Sequence, residues 1–334
     1  MCLHQDPTWK PMQDAENVLG LQIYKLNGGT YLGQPVYAKK ILDDSGFWTK
    51  ERKKNPMSPN WKADTSEPLV GDERDFFVSY NMRLSWMAMN TRPDISFTVN
   101  TLSQRMQSPN KHDLDALHHA LRYLKETWDL GLYYRTDKMK DITLVTNENC
   151  DDMESYHDAQ GVQDLIVGYS DASFGGEKGH FSRTGWLYMV GGCAATWCTK
   201  KQSMVALSST EAETYALSEA SKEAIFLQEF CKEIGEANDD TPAMKIYEDN
   251  TSCIAIVTNP IAHARSKHFA VRSAFIRDLI EKKKIEILWC PTKLMIADIL
   301  TKALDPTQHQ HLTHLMGMRS LAQLRASDPD AAME

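Results

Sequence analysis

The chain contains no run of about 18 consecutive apolar residues, so it offers no membrane-spanning helix. Its opening residues, MCLHQDPTWK, lack the apolar core of a secretory signal. Cysteine is sparse. There are seven, an odd number with no Cys-x-x-Cys pair, which predicts free thiols in a reducing compartment, cytoplasmic or nuclear. An excess of positive charge is missing too. The net charge of −8 excludes a general polyanion binder, so any contact with nucleic acid must come from local basic patches. Three such patches exist, Lys50–Lys54 (KERKK), Arg265–His268 (RSKH) and Lys282–Lys284 (KKK), and each also reads as a solvated charged face. What remains is an ordinary globular composition, 42% hydrophobic and 25% charged, over 334 residues, a length that suits two domains.

The chain divides at an acidic stretch. Residues 147–161, NENCDDMESYHDAQG, carry five acids, no Lys or Arg and almost no apolar content, which predicts an exposed linker over 147–162. Ahead of it, 18–24 and 30–32 flank Asn27-Gly28-Gly29 as a β-hairpin, and 36–48 read as a short helix. Residues 50–75, with Pro56, Pro59 and Pro68, read as a loop. Leu114, Leu117, Leu121 and Leu124 recur at helical spacing over 112–128, before a strand at 131–135. Asp44-Ser45-Gly46 has the letters of an aspartic-protease motif but no flanking apolar strands, and reads as a turn. After the linker come strands at 164–174, 184–190 and 193–200, a long helix over 209–234, and a strand at 244–249. A short helix at 250–259, a helix at 266–284, a strand at 285–290 and a last helix at 294–304 complete the order. This predicts a mixed α/β fold, a β-sheet flanked by helices. His309, His311 and His314 lack partners at metal-ligand spacing, so 306–334 read as a polar, partly disordered tail.

Four acids stand out. Val167, Tyr169 and Asp171 share one strand face, as do Lys245, Tyr247 and Asp249, and each strand ends on its aspartate. That edge of an open α/β sheet is where ligands bind, although strand-end aspartates also form turns and caps, and Asp249 could cap the helix from Asn250. In SSTEAE, Glu213 heads the stripe Leu217, Ala220, Ala224, Leu227, Cys231 and Ile234 and should face the sheet. Glu211, about 200° away around the helix, fits a capping box with Ser208, though the same box can be drawn from Thr210 to Glu213. Asp298 sits in the apolar run KLMIADILTK, four residues before Lys302, a spacing that also suits a plain ion pair.

The motifs GYSDASFGG, RTGWLYMVGG, TWCTKKQSMVALSSTEAE, YEDNTSCIAI, HARSKHFAVRSAFIR and ADILTK, in this order over 165–304, resemble the ribonuclease H domain of copia-type retrotransposon Pol polyproteins. VLGLQIYKLNGGTYLGQPVYAKKIL, residues 90–109 and HHALRYLKETWDLGLYYR resemble the C-terminal part of the preceding reverse transcriptase. The resemblance implies a partial palm and thumb-like region over 1–146 and a ribonuclease H-like domain over 163–305. It implies hydrolysis of the RNA strand of an RNA–DNA hybrid, with Asp171, Glu213, Asp249 and Asp298 holding two Mg²⁺ ions about 3.5–4 Å apart, and Mn²⁺ as a substitute. Lys200, Lys201, Arg265, Lys267, His268, Arg272 and Arg277 would contact phosphates. The rest of a reverse transcriptase or a longer polyprotein would be a partner. Two family features are absent. No histidine stands in WCPTKLM, as is usual for copia-type members, and no paired-aspartate motif precedes the hairpin, so polymerase activity is not expected. The alternative is a catalytically silent relic or a co-opted nucleic-acid-binding module.

Overall fold

The computed structural model describes residues 17–26, 28–64, 66–136, 166–238, 241–259 and 270–327. The first sheet opens with β1 (Asn17–Val18), β2 (Leu21–Leu26) and β3 (Gly29–Gly33). Gly28, at φ 89°, makes the turn between β2 and β3. Four helices follow, α1 (Pro35–Ser45), α2 (Gly71–Asn90), α3 (Ser96–Ser103) and α4 (Lys111–Glu126). Their apolar faces meet in one core built on Ile41, Leu42, Phe77, Leu84, Leu102, Leu117 and Leu121. Gly46, at φ 71°, ends α1, so Asp44-Ser45-Gly46 is a helix terminus, as the turn reading requires. The sequence pattern does not mark α2 as a helix. Its buried Phe77, Tyr80, Leu84 and Met87 form a stripe, but exposed Met82, Trp86 and Met89 blur it in the sequence. Then β4 (Leu130–Arg135) pairs antiparallel with β3.

The second sheet consists of β5 (Ile166–Ser173), β6 (Arg183–Val190), β7 (Cys193–Lys201), β8 (Met244–Glu248) and β9 (Ile285–Trp289). Its order is β7-β6-β5-β8-β9. The first three are antiparallel, while β8 runs parallel to both β5 and β9. Helices α5 (Ser209–Glu233), α6 (Thr251–Thr258) and α7 (Ala270–Glu281) accompany it. Packing of Leu217, Ala220 and Ala224 against Tyr188 and Ile246 joins α5 to the sheet. This is the mixed sheet flanked by helices that the ribonuclease H resemblance implies. The α5 stripe is buried as far as Leu227, but Cys231 is half-buried and Ile234 is exposed.

Two expectations are corrected. Residues 294–304 do not form an α-helix. They form two 3₁₀ turns, Thr292–Leu294 and Ile296–Leu300. Leu294 through Leu300 are all buried, which leaves no solvent face for an amphipathic helix in a segment packed into the core. The tail expected to be polar and partly disordered is folded through Ser327. Asp305 caps α8 (Pro306–Leu315), β10 (Met318–Ser320) pairs with β4 as a strand of the first sheet, and α9 (Leu321–Ser327) follows. Few apolar residues suffice, because Leu312, Met316, Met318 and Leu321 are all buried. His309, expected in an exposed tail, is buried and donates from Nε2 to the Asp94 carbonyl at 3.0 Å.

The two sheets are therefore tied together. Leu132 of β4 shares a core with Tyr169, Leu187, Ile296 and Met318. Trp197 Nε1 donates to the Ala88 carbonyl at 2.8 Å, and Arg183 Nη1 to Asn100 Oδ1 at 2.6 Å. The expected 147–162 linker, and the domain boundary with it, lies outside the described residues. Among the described residues no helix is long and apolar enough to cross a membrane.

Candidate active site

The parallel pairing of β5 and β8 sets Tyr169 opposite Tyr247, whose rings stack at 5.3 Å. The chain ends of both strands therefore leave the sheet side by side. Asp171 lies two residues past Tyr169 on β5, and Asp249 directly follows β8. The capping alternative for Asp249 fails, because the Asn250 side chain accepts from the Cys253 N–H at 2.9 Å. Glu213 reaches the same place from the first turns of α5. The local reason is the cap. Ser208 Oγ accepts from the Glu211 N–H at 3.1 Å, and Glu211 Oε2 accepts from the Leu207 N–H at 2.7 Å, one residue earlier than a standard capping box. Glu211 is thereby occupied, and Glu213 faces the sheet. One carboxylate oxygen from each of Asp171, Glu213 and Asp249 lies within 4.8 Å of the others.

The fourth acid arrives on the 3₁₀ turn. Gly185 pairs with Asp171 across β5 and β6. A Cβ on Gly185 would lie 2.5 Å from Thr301 Cγ2 and 3.1 Å from the Ala297 carbonyl, so only glycine lets the turn lie this close to the sheet. The turn brings Asp298 beside Asp171, and the Thr301 hydroxyl donates to Asp171 Oδ2. Lys302 Nζ pairs with Asp298 Oδ1 at 2.8 Å.

These acids are in deep burial and of one sign, and their protonation shows it. Burial, then the charges of Glu248, Asp171 and Asp249, push Glu213 well above the carboxylate range. Burial and the neighbouring Asp171 push Asp298 up to about 8, with Lys302 opposing. Burial also raises Asp171, against the pull of Lys302 and the Thr301 hydrogen bond. Glu213 Oε2 is buried without a partner. An unpartnered buried carboxylate oxygen facing two further carboxylates, in an all-oxygen set, fits a hard divalent cation such as Mg²⁺.

Sequence reasoning missed two groups here, Glu248 and Thr301. Glu248 is fully buried directly before Asp249, with Oε2 unpartnered, and burial followed by the Asp171 and Asp249 charges raises it well above its usual value. Thr301 is visible in the sequence only as a letter of ADILTK, because a 3₁₀ turn carries no period that assigns its faces, whereas the ion pair that the Asp298–Lys302 spacing suggests is present.

The described basic residues differ in their settings. Lys200 is exposed at the end of β7. Lys201 Nζ lies 4.4 Å over the Phe181 ring and donates to the Lys178 carbonyl at 3.0 Å. Arg272 is committed to α5, stacking 3.7 Å over Tyr215 and donating to Ser218 Oγ at 2.9 Å. Arg277 is half-buried on α7, with its Nε unpartnered. Arg265, Lys267 and His268 lie outside the described residues.

No family model matches the chain. Among known proteins, the retrovirus-related Pol polyprotein from transposon RE1 of Arabidopsis thaliana is 29% identical over 310 residues, covering 92% of this chain and 19% of the relative. An uncharacterized mitochondrial protein of Arabidopsis thaliana is 32% identical over 208 residues, covering 62% of this chain and 76% of the relative. Among solved structures, that of LC11-RNase H1 in complex with RNA/DNA hybrid is 16% identical, with a TM-score of 0.32, covering 41% of this chain and 93% of the other. The chain spans about a fifth of the length of the polyprotein it matches, 19% in the case of RE1. With motifs and relatives in agreement, the chain is homologous, over 92–93% of its length at 28–29% identity, to part of the retrovirus-related Pol polyproteins of copia-type transposons.

Proposed function

We propose that this chain carries a ribonuclease H centre that hydrolyses the RNA strand of RNA–DNA hybrids with two bound Mg²⁺ ions. The observation that carries the reading is the convergence of Asp171, Glu213 and Asp249 from two parallel strand ends and a capped helix, within 4.8 Å of one another. Asp171, Glu213, Asp249 and Asp298 would hold the metal. Bound divalent ions would supply charge stabilisation at the phosphodiester and lower the pKa of water.

The protein's own groups set the stage for this. Thr301 fixes one Asp171 oxygen, leaving the other for a ligand. Glu211, held at the cap, frees Glu213 to face the sheet. Lys200, exposed at the end of β7, is a candidate phosphate contact, and such contacts make affinity fall with salt. The 2′-OH is the group that would distinguish the RNA strand from DNA.

The test is hydrolysis of a labelled RNA–DNA hybrid with Mg²⁺ or Mn²⁺. Asp249→Asn should lose roughly 100- to 1,000-fold in cleavage rate, the equivalent of several kcal/mol of charge stabilisation. A folded wild type that binds hybrid without cutting it would establish the alternative, a catalytically silent nucleic-acid-binding module.

A further inference from the structure

The second positive position of the acidic centre is filled by the protein itself. Lys302 extends from the 3₁₀ turn with its ammonium 2.8 Å from Asp298 Oδ1. The Asp298 side chain is 1% exposed, while that of Lys302 reaches solvent. Asp298 does not join the group of three whose oxygen atoms converge. The centre thus holds a converging set, in which Glu213 Oε2 has no hydrogen-bond partner, and a fourth carboxylate whose oxygens also lack a hydrogen bond but whose Oδ1 has a cation 2.8 Å away.

We infer that Lys302 is a resident counter-cation that competes with a divalent ion for Asp298. This rests on the metal-centre reading above and adds to it an inequality between the two metal positions. The position at Asp171, Glu213 and Asp249 accepts a divalent ion with no cation to displace. A divalent ion that uses Asp298 meets the ammonium already beside Oδ1 and must push it aside. Lys302 suits such an exchange. Its side chain is 43% exposed, and a flexible four-carbon stem lets the ammonium swing to water. An arginine would hold a carboxylate by two parallel hydrogen bonds and release it less readily.

The experiment is Mn²⁺ binding to the metal-free full chain without nucleic acid, by calorimetry and by disappearance of the free-ion electron paramagnetic resonance signal. Wild type should show a tighter and a weaker event. Lys302→Gln should tighten the weaker event by about tenfold, the scale of one charge-assisted hydrogen bond, and change the tighter one by less than about threefold. Asp298→Asn should abolish the weaker event and keep the tighter one. Its thermal unfolding, compared with wild type, shows that it is folded. A weaker event that is unchanged or weakened in Lys302→Gln overturns the competition and leaves the metal-centre reading intact. Absence of Mn²⁺ binding by wild type overturns both.

Discussion

Two of the places where the molecule buries charge differ in how they balance it. In the helical half, Arg92 and Asp94 of the TRPD segment have fully buried side chains. Arg92 Nε and Nη2 donate to the two Asp94 oxygens at 2.9 and 2.8 Å, and Arg92 also reaches Thr127. The Tyr123 hydroxyl donates to Asp94 Oδ2 at 2.7 Å. Burial alone would raise Asp94, but the guanidinium holds it below the usual carboxylate range. In the sheet half, Asp171, Glu213, Glu248 and Asp298 are equally deep, and all are raised. A closed network with every donor and acceptor matched is what structure needs. A like-charged set with an unpartnered oxygen is costly unless a cation comes, and that is what a metal site needs.

The contrast can be broken most forcefully from its balanced side. Asp94→Ala leaves a buried guanidinium without its anion and should cost about 3–5 kcal/mol, seen as a lowered denaturant midpoint. It also removes the hydroxyl acceptor of Tyr123 next to α8, whose His309 donates to the Asp94 carbonyl. Gly185→Ala should cost about 1–3 kcal/mol by overpacking. Because its Cβ would press on Thr301, it should also reduce Mg²⁺-induced stabilisation, measured by thermal unfolding with and without the metal.

A smaller effect concerns pH. Asp298 has a folded-state value of about 8 against an ordinary value of 3.8, so the metal-free folded state binds more protons than the unfolded chain across that interval. Its contribution to stability is fully present below about 4 and is lost as pH rises through about 8. Metal-free protein should therefore lose stability from mildly acidic to mildly alkaline pH, and Mg²⁺ should restore it at the alkaline end. Thermal scans across that range, with Asp298→Asn as the control expected to flatten the slope, check this.

Much of the contrast is legible in the sequence, and the unread part has a common cause. Period gives Glu213 its direction, because Leu217, Ala220 and Ala224 mark the buried face of α5. Period also gives the two strand ends that carry Asp171 and Asp249. What period does not reach is contact between distant segments that lack a repeat. The ADILTK turn, buried from Ala297 through Thr301, shows an apolar run that looks helical, and the roles of Thr301 and Lys302 depend on its 3₁₀ path. The polar segment with His309 looks disordered because its partner, the Asp94 carbonyl, lies 215 residues earlier. Glu248 escapes notice because it sits in the strand on the side opposite the acid that follows it.

The most direct measurement is the thermal midpoint of Asp171→Asn against wild type, with and without Mg²⁺. Four clustered carboxylates repel one another without metal, so removing one charge should leave the metal-free midpoint unchanged or raise it, while the Mg²⁺ shift disappears. A metal-free midpoint that falls as it does for Asp94→Ala, with the Mg²⁺ shift retained, would contradict the assignment and make Asp171 a structural acid.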